Sequence, residues 1–117
     1  PFAVEDGGDG PWRLDWRPLV RAAAEDLLGG APAGAVSMRF HRALAAAGAE
    51  LLRSAAGREG RLPVVLAGGV FQNARLAALL IDEIRGDFDV YLPGRVPPGD
   101  GGIALGQAVV ASAVSGA

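Results

Sequence analysis

The chain has 117 residues, half of them hydrophobic, and a formal net charge of −2. This length and apolar content predict one folded domain and exclude a disordered chain. The weak acidic balance excludes a basic field for nucleic acid, and the lack of cysteine excludes a disulfide frame and a thiolate nucleophile.

The first residues indicate neither a secretion signal nor a membrane anchor. Residues 1–4 run directly into an acidic stretch, and the longest apolar runs are far shorter than a bilayer-spanning helix. We therefore expect a cytoplasmic protein without a membrane or nucleic-acid partner. Because the sequence lacks an initial methionine and starts with a segment typical of a strand end, we expect a fragment of a longer protein.

The first half of the chain predicts a loop, a strand and two helices. Residues 5–11 are a Gly/Asp loop, and the alternation over 12–16 predicts a short strand. Pro18 suits the first turn of a helix that ends at Gly29, and its expected packing side contains Val20, Ala23, Leu27 and Leu28. A long helix over 35–56 follows, with an apolar stripe at Val36, Phe40, Leu44, Ala47 and Leu51.

The second half predicts a strand–helix–strand unit and a final helix. The apolar run 62–67 is typical of a strand buried on both faces, and the run 87–92 predicts its parallel neighbour. The helix over 72–85 between them gives a right-handed crossover, with Leu76, Leu79, Leu80 and Ile84 facing inward. After a loop over 93–102, the helix 103–115 is apolar almost all round, so we expect it to be buried.

The first candidate site is the turn after the apolar strand. Gly68 and Gly69 lack Cβ atoms, so their backbone can approach a ligand closely, next to the free N–H groups of a helix start. Asn73 in the first helical turn can bond a ribose hydroxyl, an adenine edge or a phosphate. The alternative is a tight turn in which the glycine pair serves packing alone.

The second candidate site lies in the loop before the final helix. Pro97 and Pro98 present Asp100, and Gly101 and Gly102 leave space beside its carboxylate. An oxygen ligand of this kind suits a divalent metal or a metal-bound phosphate. The alternative is that Asp100 only caps the last helix.

Three further residues attract attention and are given structural roles. His41 is the single histidine, so it makes neither a metal site nor a catalytic triad, and we expect a structural or interfacial role. Trp12 and Trp16 are expected to anchor the core or an interface between lobes.

These motifs together resemble the C-terminal end of the hydrogenase-maturation carbamoyltransferases, the HypF family. The matching segments cover most of the chain and read DWRPL (15–19), RFH (39–41), LAGGVFQN (66–73) and VPPGDGGIALGQA (96–108). Two positions depart from the family pattern, since Ala67 stands where Ser is frequent and Gly99 where Asn is frequent.

The resemblance implies one C-terminal nucleotide-binding lobe over residues 1–117, with an actin/hexokinase-like (ribonuclease H-like) α/β fold. Its small parallel or mixed sheet would be packed by helices. The family uses carbamoyl phosphate and ATP, through a carbamoyl-adenylate, to carbamoylate the C-terminal cysteine of HypE, toward the cyanide ligands of [NiFe] hydrogenase. Activity would therefore belong to the full-length enzyme, with the fragment inactive alone.

The resemblance also implies residue roles. The adenylate or AMP would be held by Gly68, Gly69, Val70, Asn73, Gly101 and Gly102. Asp100 would bind a divalent metal (zinc, iron or magnesium), whose histidine ligands come from a missing N-terminal lobe. No residue of this chain resembles a nucleophile, which fits transfer to a partner's thiolate, and no catalytic residue is assigned.

Two alternative functions stay open at this point. One is a lobe of a tRNA threonylcarbamoyl-adenosine-type transferase. The absence of a basic patch and the FQN spelling of the motif argue against it. The other is a non-catalytic docking or oligomerisation module. An exposed final helix with Gly68 and Gly69 closed off would favour that module.

Overall fold

A computed structural model describes residues 1–5, 8 and 10–116. In chain order these form β1 Ala3–Glu5, β2 Arg13–Asp15, α1 Arg17–Leu28, α2 Ala33–Glu59, β3 Val64–Val65, α3 Ala74–Ile84, β4 Val90–Tyr91 and α4 Ile103–Ser115. β1 pairs antiparallel with β2, and β3 pairs parallel with β4. The mixed α/β architecture, with small sheets packed by helices, is as predicted. The predicted loop over 5–11 includes Asp6, Gly7 and Asp9, which lie outside the described residues.

The start of α1 is organised by a local ion pair. Arg17 donates its backbone N–H to the Asp15 carboxylate at 3.0 Å, and its guanidinium donates to the same carboxylate at 2.8 and 2.9 Å. These hydrogen bonds, first of all those of the side chain, hold the pKa of Asp15 below its ordinary value. With Pro18 in the first turn, α1 begins and ends where the sequence predicts.

The predicted packing side of α1 is wrong in part. Leu27 and Leu28 are 54% and 89% exposed, and Val20 is also exposed, whereas Leu19 is buried. α1 packs on α2, and Leu19 is the buried residue of α1. The Asp26 carboxylate and the Arg39 guanidinium join the two helices by an ion pair of 2.6 Å. The less exposed positions of α1 include 19, 22–23 and 26, which recur at helical spacing. The packing face of α1 is therefore a second stripe, different from the predicted one.

The main core lies between α2, α3 and the parallel strands. α2 is longer than predicted and ends at Gly60, whose φ of +85° favours glycine. Gly48 allows a close crossing, since a Cβ there would lie 3.3 Å from a methyl carbon of Leu80. The predicted stripe of α3 is confirmed, because its members pack into this core. The buried cluster is Ala45, Ala49, Val64, Leu66, Leu76, Leu80, Ile84 and Phe88.

The parallel pairing of β3 and β4 is confirmed, but burial on both faces is wrong. The Val64 N–H donates to the Asp89 carbonyl at 2.9 Å, and the Leu66 N–H donates to the Tyr91 carbonyl at 3.0 Å. Val64 and Leu66 are buried, whereas Val65 between them is 64% exposed. α2 and α3 cover the face that carries Val64 and Leu66, whereas Val65 and Tyr91 on the other face are exposed. The right-handed sense of the crossover stays a prediction.

The final helix departs most from expectation. None of the described residues of α4 is buried, and its apolar side chains Ile103, Leu105, Val109, Val110 and Val114 are all exposed. The prediction of a buried α4 is wrong for this chain because its main neighbour is the short turn Asp100–Gly102. Within the described ranges, no helix is both long enough and apolar enough to cross a bilayer.

Candidate functional site

The glycine turn, residues 68–73, connects β3 to α3 through a single 3-10 turn. Gly68 has φ +101°, a conformation that side-chain-bearing residues rarely adopt. A Cβ on Gly69 would meet no atom within 4 Å, so packing among the described residues does not require glycine there. A tight turn therefore accounts for Gly68 but not for Gly69. The 3-10 turn is Gly69–Gln72, and α3 begins at Ala74 rather than at residue 72.

The aspartate loop, residues 93–102, meets the glycine turn directly. The Gly68 N–H donates to the Pro98 carbonyl. A Cβ on Gly99 would lie 3.6 Å from the Gly69 Cα and 2.7 Å from the Gln72 Nε2. Because the nearer contact is with a flexible side-chain end, a Cβ at position 99 requires only a shift of the Gln72 side chain. The two motifs that are most distinctive in the sequence are therefore neighbours in space.

Gly101 and Gly102 fold the aspartate loop back over Pro97. A Cβ on Gly101 would lie 2.8 Å from the Pro97 Cγ, and a Cβ on Gly102 would lie 2.9 Å from the Pro97 carbonyl oxygen. Neither distance is compatible with an unmoved loop. Close packing of the loop therefore requires both glycines, whatever further contact they make with a ligand.

Asp100 is exposed at the first residue of the turn Asp100–Gly102. The N-cap of α4 is Gly102, and no side-chain hydrogen bond caps the helix. The helix-cap alternative is therefore not what the structure shows. In the part of the chain that the structure describes, no three His, Cys, Asp or Glu side chains gather to hold a metal, so Asp100 supplies one oxygen donor without protein partners.

An open apolar groove of about 710 Å³ lies between the two loops and α4. Gly68, Asp100 and Gly102 line it, together with Ile103, Leu105, Val109 and Val110 of α4. Gly69, Val70, Asn73 and Gly101 do not line it, so the groove unites only part of the predicted nucleotide-binding set. The docking alternative requires an exposed α4 together with a closed-off glycine pair. α4 is exposed, but Gly68 and Gly69 are exposed as well, so only the first part of this condition is met.

Asn73 is held by a network that the sequence did not predict. Its Oδ1 accepts the Leu76 N–H at 3.1 Å and caps α3. Its Nδ2 lies 2.9 Å from the Nε2 of His41, whose Nδ1 lies 2.7 Å from the Ser37 carbonyl. His41 thus has the structural role expected of it, and its link to the glycine turn is new. The 32-residue separation left no signal in the sequence.

The two tryptophans differ in environment. Trp12 is half-buried, with the Arg58 guanidinium 5.3 Å from its ring centre. Trp16 is 59% exposed, so it is not a core anchor among the described residues. An interface role for Trp16 stays a prediction.

The comparisons with known proteins agree on one family. A family model described as "Carbamoyltransferase, Kae1-like Domain, second subdomain" matches residues 1–107. Carbamoyltransferase HypF of Rhizobium leguminosarum bv. viciae is 40% identical over 109 residues, 92% of this chain and 14% of that protein. Carbamoyltransferase HypF of Synechocystis sp. is 34% identical over 96 residues, 80% of this chain and 12% of that protein.

A solved structure has the same fold. It is described as "Crystal structure of full-length HypF in the phosphate- and nucleotide-bound form", and it matches with a TM-score of 0.90 and 31% identity. The match covers 97% of this chain and 15% of that chain. The present chain therefore spans a small part of the length of the proteins that it resembles.

Proposed function

Because the chain belongs to the HypF carbamoyltransferase family, matching the second subdomain of its Kae1-like domain over residues 1–107, we propose that it is the C-terminal nucleotide-binding lobe of such an enzyme. The full enzyme would use carbamoyl phosphate and ATP, through a carbamoyl-adenylate. The carbamoyl group would pass to the C-terminal cysteine of a HypE-like acceptor, for cyanide-ligand synthesis in [NiFe] hydrogenase maturation.

The observation that carries the proposal is the meeting of the glycine turn and the aspartate loop at one groove. The Gly68 N–H to Pro98 bond joins the loops, and the Asp100 carboxylate stands exposed at the same groove. An adenylate needs a surface without side chains for close approach and a polar group that fixes its orientation. Gly69, with open space where a Cβ would be, offers the first.

The proposed adenylate site extends from the groove along the glycine turn. Gly68, Gly69 and Val70 would present backbone to the ligand, and Asn73 would add a side-chain hydrogen bond at the far end. Gly101 and Gly102 would allow the aspartate loop to pack closely on Pro97, so that the groove stays open. The ligand would be sandwiched only when a second lobe covers the other side.

Asp100 fits as one ligand of a divalent metal, and the remaining ligands would come from outside the described residues. A carboxylate oxygen is a suitable donor for zinc, iron or magnesium. When bound, the metal would polarise the carbamoyl carbonyl. Asp100 itself would only hold and orient, which agrees with a chain in which no residue is assigned as catalytic.

The exposed α4 supports a lobe that works with the rest of the same polypeptide. Its Ile103, Leu105 and Val109 form one wall of the groove. A continuous apolar wall of this kind is typical of a binding or interface surface. We propose that the N-terminal lobe packs on α4 and completes the groove, so the docking role and the enzymatic role belong together.

The test is transfer in the full natural chain that carries these residues. Carbamoyl phosphate, ATP and a HypE-like acceptor are incubated with it, and mass spectrometry locates the carbamoyl group on the acceptor. We expect modification of the C-terminal cysteine, dependent on ATP. The isolated 117-residue chain should bind ATP more weakly than about micromolar, because one wall of the site is absent. Tight ATP binding by the isolated chain would contradict the half-site proposal.

A further inference from the structure

We propose that His41 is a positioning residue for Asn73, and that it fixes the far end of the glycine turn to α2. The inference rests on the proposed function in that it makes Asn73 part of the nucleotide site. It adds a residue on another helix whose loss would weaken nucleotide binding without touching the nucleotide.

The donors and acceptors leave one arrangement. The Leu76 N–H can only donate, so the atom of Asn73 at 3.1 Å from it is the amide oxygen. The amide nitrogen, which can only donate, therefore points at the His41 Nε2 at 2.9 Å. That Nε2 must be unprotonated, so the ring proton is on Nδ1 and is donated to the Ser37 carbonyl at 2.7 Å.

These hydrogen bonds fix the C-terminal end of the glycine turn, at Asn73. Its first end is already tied, since the Gly68 N–H bonds Pro98 in the aspartate loop. At its other end the Asn73 N–H donates to Val70 at 3.1 Å, and the Asn73 side chain joins α2 through His41. The bond at Ser37 holds the imidazole in place in turn, so the position of the Asn73 amide is set by α2.

The locked amide retains one N–H and one oxygen lone pair, on an exposed side chain. A ligand at the glycine turn would therefore meet a prepared donor whose rotamer is already fixed. Preorganisation of this kind lowers the cost of binding because less side-chain freedom is lost. Without His41, Asn73 would still cap α3 but would lose the fixed orientation.

The test uses the full natural chain with four variants: His41→Leu, which removes the acceptor at similar size; His41→Gln, which can restore an acceptor; Asn73→Ala; and the double variant His41→Leu/Asn73→Ala. Arg42→Ala is the matched control, because Arg42 is the exposed neighbour of His41 on α2. ATP affinity is measured by calorimetry, and the melting temperature is recorded for each protein. Labelling with 15N-histidine reports the tautomer, and the His41→Gln spectrum identifies the His41 signal.

We expect His41→Leu to weaken ATP binding about two- to tenfold, the effect of one neutral hydrogen bond, at a nearly unchanged melting temperature. His41→Gln should recover most of the affinity, and Arg42→Ala should bind as wild type. The double variant should bind no more weakly than Asn73→Ala alone, because the two residues act as a unit. The His41 signal should show the Nδ1–H tautomer.

The opposing outcomes separate the two claims. A lowered melting temperature with unchanged ATP affinity in His41→Leu would make His41 merely structural and overturn the positioning role. An Nε2–H tautomer, or equal losses from His41→Leu with and without Asn73, would do the same. If Asn73→Ala instead binds ATP as tightly as wild type, Asn73 leaves the nucleotide site and that part of the proposed function fails.

Discussion

Helices α3 and α4 are both apolar and similar in length, with 11 and 13 residues, yet their environments are opposite. α3 buries Leu76, Leu80 and Ile84 on α2 and the parallel strands, while its charged residues face solvent. α4 carries no charged residue and is exposed on every side. A one-sided stripe is satisfied within its own chain, whereas an all-round apolar helix requires cover that the described residues do not provide.

The candidate site lies where these two regions meet. One side of the groove is the glycine turn, which is continuous with the core through β3 and α3. The other side is formed by the aspartate loop and α4, which make few contacts with the rest of the described chain. Substitutions in the buried core of α2, α3 and the parallel strands should therefore change stability, and those in the aspartate loop and α4 should change function or lobe association.

The largest effect is expected from Ile84→Ala. Ile84 is fully buried at the centre of the core, so the truncation should lower the free energy of unfolding by about 2–5 kcal/mol. Ile103→Ala in α4 is the matched control and should cost far less in this chain, since Ile103 is 54% exposed. Urea denaturation of both variants measures the difference. Equal losses would contradict the difference in burial between the two helices.

The second largest effect is expected from Asp100→Ala, and it should be an effect on function and not on stability. In the full natural chain, carbamoyl transfer and metal retention should fall at least about a hundredfold, because a charge-stabilising metal contributes several kcal/mol. The melting temperature should hardly change, since no hydrogen bond of Asp100 caps α4. Asp82→Ala, another exposed carboxylate, is the control. A variant with full activity and full metal content would remove Asp100 from the site.

The paired change Val109→Ser and Val110→Ser tests the exposed helix. In the 117-residue chain it should alter the free energy of unfolding by no more than about 0.5 kcal/mol, as surface changes do. In the full natural chain it should cost about 1–3 kcal/mol, because a covering lobe would bury both side chains. Hydrogen exchange over α4 in the two proteins provides a second measurement. The same small cost in both would mean that no lobe covers α4.

A small effect on stability is expected from Arg53→Ala, which tests the polar contribution to the core region. Arg53 joins α2 to the end of α3 through Asp87 and the Glu83 carbonyl, each at 2.7 Å. Because both partners of the ion pair are about half exposed, the loss should be about 0.5–1 kcal/mol and should shrink with added salt. Arg85→Ala, whose ion pair is 3.6 Å long and more exposed, should cost less. Thermal melts at two salt concentrations distinguish them.

Much of the fold could be predicted because its signals are local. Pro18 marks the start of α1 and Gly29 its end, and the stripe of α3 follows from helical spacing, whereas α2 extends beyond its predicted end. The strand–helix–strand order gave the parallel pairing of β3 and β4. The candidate site was predictable in part for the same reason, since Gly68 and Asp100 each stand in a distinctive local motif.

Residue type and spacing thus determined the order of the elements and the motifs of this protein, and those motifs carried the resemblance to its family. The tertiary structure decided which of two stripes on α1 is buried, which face of β3 is covered, and that α4 finds no cover among the described residues. It also decided that Gly68 bonds Pro98 and that Asn73 bonds His41, across 30 and 32 residues. The hydrophobicity of a side chain predicts only that it prefers burial, and its hydrogen-bonding groups predict only that it needs a partner. The partner itself is set by how distant segments pack.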